Sequence, residues 1–214
     1  MLPLSDLVNE AESALPFVCE TASQVTGRCV VHPPSPNAGE VLHQCQVTTR
    51  SPMGAIVYHT GGITIEGGWL RILGSGCLQI PRSMSQWNAG RSSGYLLVAN
   101  DAVGGFFAID GGSLGHAPGT VCYFCPKALE WVSLEGGFSE FLVWACNDFG
   151  DFYTDLRWPD WQTDVALLSG DRTYSFYPFL WAKEGSVTKS RKTDIPVTEA
   201  FEIQMDMARQ LSEQ

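Results

Sequence analysis

Basic residues are scarce in this chain. Thirteen Lys and Arg stand against 23 Asp and Glu, a net charge of −10. Sequence-independent nucleic-acid binding needs a basic face to neutralise phosphates, so this balance argues against a nucleic-acid partner. Long apolar runs are missing too: no window approaches the ~18 consecutive apolar residues of a membrane-spanning helix. The opening stretch MLPLSDLVNEAES has neither a basic n-region nor a long apolar core, so no signal peptide and no membrane association are expected. There is no second C-x-x-C to complete a zinc site around Cys122 and Cys125. The Gly-rich turns at Gly74–Gly76 and Gly104–Gly105 lack the Lys and the helix of a phosphate loop. The four His (His32, His43, His59, His116) are scattered, and there is no internal repeat or low-complexity tract. These absences leave no catalytic set, no metal site and no cofactor to assign.

What is present is a globular composition, 44% hydrophobic and 17% charged, with seven Trp and eleven Phe for an aromatic core. At 214 residues the chain reads as one domain with extensions. Its seven Cys are odd in number and irregularly spaced, which suits reduced thiols and a cytoplasmic location. Acid is unevenly spread. Glu130, Glu135, Glu140, Asp148, Asp151, Asp155, Asp160, Asp164 and Asp171 share one stretch with a single base, Arg157. This reads as a solvated helical surface, and the overall charge favours a basic protein partner.

Taken in order, Leu2–Leu15 reads as a helix capped by Ser5 and ended by Pro16, and Phe17–Val25 as a second. The run from His32 to Asn37 reads as a linker, with His32 on a surface loop. Ser51 and Pro52 are residues for an N-cap and a first helical position. Met53, Ile56, Val57 and Thr60 repeat at the helical period, so a helix is expected over Pro52–Thr60, closed by a left-handed Gly61. Ile63–Glu66 and Trp69–Leu73 form strands around Gly67-Gly68, and Pro81–Asn88 a helical turn ending near Gly90. Tyr95–Asn100, Phe106–Asp110, Val121–Phe124 and Glu130–Leu134 are strands whose weak alternation implies a sheet covered on more than one side. Helices are expected over Ser139–Cys146, Phe149–Trp158, Asp160–Leu168 and from Thr198 to Leu211. Tyr174–Ala182 reads as an edge or covering segment broken by Pro178, and Lys183–Lys192 as a loop.

Gly111–Gly115 matches G-x-S-x-G, but a strand rather than a helix follows Ser113, so the motif reads as a hairpin loop. Cys122 and Cys125 lie in or just after an apolar strand and read as buried thiols. Glu66 and Asp101 sit beside glycines at strand ends, where both functional carboxylates and turn residues occur. The candidate binding residues are Trp69, Arg71, Trp87, Asn88, Asp101 and Asp110, with Arg91 beside them. If they converged, Arg stacked with Trp would make an anchor; the plainer reading is core Trp with snorkelling Arg. The turn Asp101–Gly105 is the first place to expect a functional edge.

The phrases TTRSPMGAIVYHTGG, GWLRILGSG, LLVANDAVGGFFAIDGG, LEWVSL, FSEFLVWA, FYTDLRWPDW and FLWAKEG resemble a bacterial family of unknown function, over about Val47 to Trp181. A more distant pattern resembles the SUKH superfamily, the fold of many toxin-immunity proteins: Tyr58–Gly62, the hairpin Leu96–Asp110, the strand Val121–Phe124 and the helix opening Phe138-Ser-Glu-Phe-Leu142. Thr60 stands where that pattern has Asn, and the part from Asp148 onward is extra. The resemblance implies an α+β fold, a largely antiparallel twisted sheet flanked by helices, SUKH-like, with a C-terminal helical extension. Residues 1–45 would be a helical segment and linker, 46–147 the core and 148–214 an extension packed on it. The implied function is a protein-binding module, an immunity protein being one form. The alternatives are a small-molecule sensor or hydrolase-like enzyme with a Trp/Arg/Asp pocket, and an oligomerising protein using Tyr174–Trp181.

Overall fold

The computed structural model describes residues 1–212. Its elements in chain order are α1 (Leu4–Leu7), α2 (Leu15–Ser23), β1 (Cys29–His32), α3 (Ala38–Cys45), α4 (Pro52–His59), β2 (Gly62–Ile65), β3 (Leu70–Leu73), α5 (Met84–Asn88), β4 (Tyr95–Asp101), β5 (Phe106–Asp110), β6 (Val121–Cys125), β7 (Glu130–Ser133), α6 (Phe138–Asn147), α7 (Trp161–Leu167), β8 (Arg172–Tyr177), β9 (Arg191–Pro196) and α8 (Val197–Ser212). Two 3-10 turns, Glu66–Gly68 and Thr154–Leu156, complete them. The fold is α+β, as the sequence pattern implies.

β1 to β7 form one antiparallel sheet in sequence order, with α3 and α4 inserted between β1 and β2 and α5 between β3 and β4. The pairings place two rows of side chains on opposite faces. Ile63, Ile72, Ala99, Phe107 and Tyr123 share one, and Thr64, Arg71, Asn100, Phe106 and Phe124 the other. On the first face Phe107 meets Phe141 and Trp144 of α6, and Tyr123 meets Phe152 and Tyr153. On the second, Phe106 packs against Trp87 of α5 and Phe201 of α8. Both faces are therefore covered, which explains why the strands read as apolar runs with little alternation.

Several local expectations are corrected. The first helix is a single turn, Leu4–Leu7, with Pro3 rather than Ser5 at its N-cap. Pro16 opens α2 instead of ending a helix, because its missing N–H falls in the first turn, where no helical acceptor is required. β1 lies inside the stretch read as helix and linker; its His32 is buried and its Nε2 meets Thr64 Oγ1 at 2.9 Å. Arg28 Nε and Cys29 Sγ donate to the Ala145 and Cys146 carbonyls, fastening this edge to α6. Gly61 is not left-handed: Thr60 leaves α4 extended, and Gly62 carries the positive φ of 129°. Glycine at 61 answers close approach, since a Cβ there would stand 2.6 Å from both Cys77 Cβ and the Pro33 carbonyl. Of Phe149–Trp158 only Thr154–Leu156 is helical, and the Lys183–Lys192 loop runs into β9, which pairs with β8. The C-terminal part thus adds a two-stranded sheet as well as helices.

α4 shows sequence capping at work. Ser51 Oγ accepts from the Gly54 N–H at 3.1 Å, and Pro52 begins the helix. Ser51→Ala is expected to lower stability by about 1 kcal/mol through the lost cap, read as a shift of the urea midpoint at unchanged slope. No shift would mean that this cap is energetically silent.

Candidate functional site

The hairpin turn expected to form a functional edge is interior. Asp101, Ala102, Val103, Gly104 and Gly105 are all buried. The C-terminal part covers them: Tyr174 N–H donates to the Ala102 carbonyl, Thr173 Oγ1 to the Asp101 carbonyl, and Gln204 Nε2 to the Gly104 carbonyl. The correction has a simple cause, since a polar Gly-rich turn need not face water if later chain segments satisfy its carbonyls.

Asp101 is the centre of this region. One carboxylate oxygen accepts from the Val103 and Gly105 N–H groups at 3.1 and 2.6 Å, the other from the Tyr123 hydroxyl at 2.9 Å. Burial pushes the Asp101 carboxyl up to about 6, against the opposing pull of these donors. The same burial and the nearby carboxylate hold Tyr123 and Tyr153 well above the ordinary phenol value. The Tyr153 hydroxyl and Trp69 Nε1 are buried beside the carboxylate. Gly105 is obligatory: a Cβ would sit 2.4 Å from Asp101 Oδ2 and 2.3 Å from the Tyr123 hydroxyl.

Of the six candidate residues, the fold brings three close. Leu70 pairs with Asp101, so Trp69 and Arg71 flank that position, and Ala102 N–H donates to the Trp69 carbonyl. Trp69 is buried, packed edge-on against Tyr153 and Trp161. The guanidinium over it belongs to Arg157, which also lies 4.2 Å from the Trp161 ring centre. Glu66 joins Arg157 and Arg28 in a double ion pair beside these rings. Arg71 projects to the other face, where Nη1 donates to the Arg172 carbonyl at 2.8 Å.

The remaining three stand apart. Trp87 packs under α8 between Arg82 and Arg91. Asn88 clamps β4 at its bulge, donating to the Leu97 carbonyl at 2.8 Å and accepting from the Leu97 N–H at 2.7 Å. Asp110 closes the far end of β5. Burial opposes its charge, but N–H donors from Gly112, Leu114, His116 and Ser113 hold its carboxyl below the usual range. The expected Trp/Arg/Asp pocket is therefore not formed: Trp69 stands at the helical exit of the 3-10 turn, outside β3, so strand alternation does not align it with Arg71, and Trp87 and Asp110 lie elsewhere. Ser113 Oγ donates to the Ser93 carbonyl within a loop, with no helix behind it. Cys122 and Cys125, three apart on a strand, lie on opposite faces, and burial pushes Cys122 up to about 11. All seven Cys are free, and among the described residues no group of His, Cys, Asp or Glu is arranged to hold a metal ion. No described helix is long and apolar enough to cross a membrane.

The surface has a different character. Of the nine acidic residues from Glu130 to Asp171, all but Asp164 are exposed, and none of those eight enters an ion pair with another described residue. The one base of the stretch, Arg157, is turned inward onto Glu66. Glu130 opens β7 and Glu135 follows it, and no described strand pairs the outer edge of β7.

Residues 4–200 match the family model described as protein of unknown function DUF2625. The chain is 42% identical over 214 residues to the uncharacterised protein YbfG of Escherichia coli (strain K12), covering 97% of each chain. It is 40% identical over 189 residues to an uncharacterised protein of Haemophilus influenzae (strain KW20 / Rd), covering 84% of this chain and 83% of that one. No solved structure matches.

The buried carboxylate yields a pH prediction. Its folded value of about 6 lies above the unfolded 3.8, so the folded state holds this proton more tightly. Its contribution to stability is greatest below the unfolded value and declines as pH rises through the folded one. The stability of the wild type minus that of Asp101→Asn should fall between about pH 4 and pH 6 and level off above, by urea unfolding at each pH. A flat difference would show that Asp101 is not the group titrating.

Proposed function

Because the chain belongs to the DUF2625 family of proteins of unknown function, no activity passes to it from its relatives, and we propose from its own surface that it is a protein-binding module with a basic partner. The observation that carries this reading is the segregation of charge along Glu130–Asp171: eight exposed carboxylates face water without cations, while the stretch's only base is consumed internally. Leaving like charges unpaired costs stability through repulsion, and the gain is long-range attraction that speeds association with a positive surface. The unpaired edge of β7, with Val132 half exposed at 50%, sets backbone donors and acceptors beside this charge, the arrangement that strand addition uses.

The finer form of the proposal is an immunity protein of SUKH type that acts in the cytoplasm and masks a basic toxin such as a nuclease. Its support is the pattern shared with that superfamily, a short helix before a strand, then a hairpin, a strand and a helix opening Phe138-Ser-Glu-Phe-Leu142, together with seven free thiols suited to a reducing compartment. The test is affinity capture from the native host with the wild type and with Glu135→Lys, Asp148→Lys, Asp151→Lys and Asp155→Lys combined, all exposed positions that the fold does not use for ion pairs. The expected result is a basic protein held by the wild type at about 50 mM salt, released by about 500 mM, and lost in the charge-reversed variant. Recovery of nothing at low salt, or equal recovery by both proteins, would overturn the reading.

A further inference from the structure

Arg71 is an unusual core residue. It is 2% exposed, yet no carboxylate among the described residues lies within ion-pair distance. Among the described residues its one side-chain hydrogen bond, Nη1 to the Arg172 carbonyl, fixes the plane of the guanidinium and leaves Nε and Nη2 without an acceptor there. These two donors form the edge that matches two oxygens of a carboxylate or phosphate. They open onto a cleft of about 280 Å³ on the second face of the sheet, between the 3-10 turn, α7 and the turns at Leu78–Gln79 and Ser169–Gly170. Thr64, paired with Arg71 across β2 and β3, Gln79 and Ser169 add polar side chains to its wall.

The glycine beside the arginine fits this purpose. A Cβ on Gly68 would stand 3.7 and 3.8 Å from Arg71 Nε and Nη2, covering the free edge. Its φ of 102° also excludes larger residues. A second guanidinium acts on the arginine from close by. Arg82, also without a carboxylate, donates to the Gly170 carbonyl at 2.6 Å and to Asn100. Asp101 and Asp171 act on Arg71 only at longer range; Asp101 is engaged with Tyr123, and Asp171 is exposed and holds the Ser169 hydroxyl. Burial accordingly pushes the Arg71 guanidinium down to about 10. Stranding a buried cation is expensive, and a bound anion would remove that cost.

We infer that this cleft is an oxyanion site, in which Arg71 Nε and Nη2 hold two oxygens of a small carboxylate or phosphate ligand. No carboxylate of the described residues lines this cleft, so it stands or falls independently of the partner-binding reading. The test titrates succinate and inorganic phosphate separately into the full chain at constant ionic strength, following the Arg71 Nε–H resonance and the heat of binding. Two variants accompany it. Arg71→Lys keeps the charge and loses the paired edge. Ala166→Glu, at an exposed position of α7 on the cleft wall, sets a carboxylate against the arginine without touching the core. Saturable binding of at least one probe, weakened at least about tenfold in both variants, is expected, and the preferred probe assigns the ligand class. If neither probe saturates, or if Ala166→Glu binds as the wild type does, the inference is overturned; that variant decides alone should Arg71→Lys not fold.

Discussion

A carboxylate buried at the turn between two central strands organises this molecule. Asp101 closes its own turn through the Val103 and Gly105 N–H groups and reaches past β5 to Tyr123 on β6, while its backbone carbonyl receives Thr173. An unsatisfied carboxylate at this depth would be strongly destabilising, so each donor must be in place. The requirement propagates outward. Gly105 must be glycine, Tyr123 must face the same side as Phe107, and β8 must lie over the turn. The C-terminal part is thereby bound into the structure by polar contacts as well as by the packing of Phe201 on Phe106.

Charge is sorted by sign. Arg71, Arg82 and Arg157 are turned inward, stacked on rings or donating to carbonyls, with only Glu66 as a close carboxylate partner. Guanidinium suits this role because it is weakly hydrated, planar and rich in donors. Most carboxylates of the Glu130–Asp171 stretch stay in water. A chain with few cations has spent several of them inside, so its outer field is more negative than its composition alone conveys. The unpaired carboxylates outside and the free donor edge of Arg71 both follow from that sorting.

Much of the fold was legible along the chain. The strands from Tyr95 to Ser133, the helix from Pro52, the hairpin at Gly67-Gly68 and the last helix all carry local signals: apolar runs between glycines, a Ser-Pro cap, a helical repeat. β1 was not, because Cys29–His32 is four residues followed by prolines, and only its pairing with β2 makes it a strand. β9 likewise sits in a polar, basic segment that becomes extended by pairing with β8. Among the candidate site residues, Arg71 was readable as a residue to watch, but its neighbours were not. Gly68, Thr64, Gln79 and Ser169 meet around it from separate parts of the chain, with no spacing to announce them.

By itself, the sequence determined the class of fold, the acidity and the absence of a nucleophile elbow or a paired metal motif, because these depend on composition and on near neighbours. The tertiary structure decided what each polar residue means. It turned a glycine-rich hairpin tip from an edge into an anchor, separated Trp69 from Arg71, and gave Arg71 a cleft in place of a counter-ion. Burial and the supply of hydrogen-bond partners set the value of a polar group, and both come from segments that are distant in sequence.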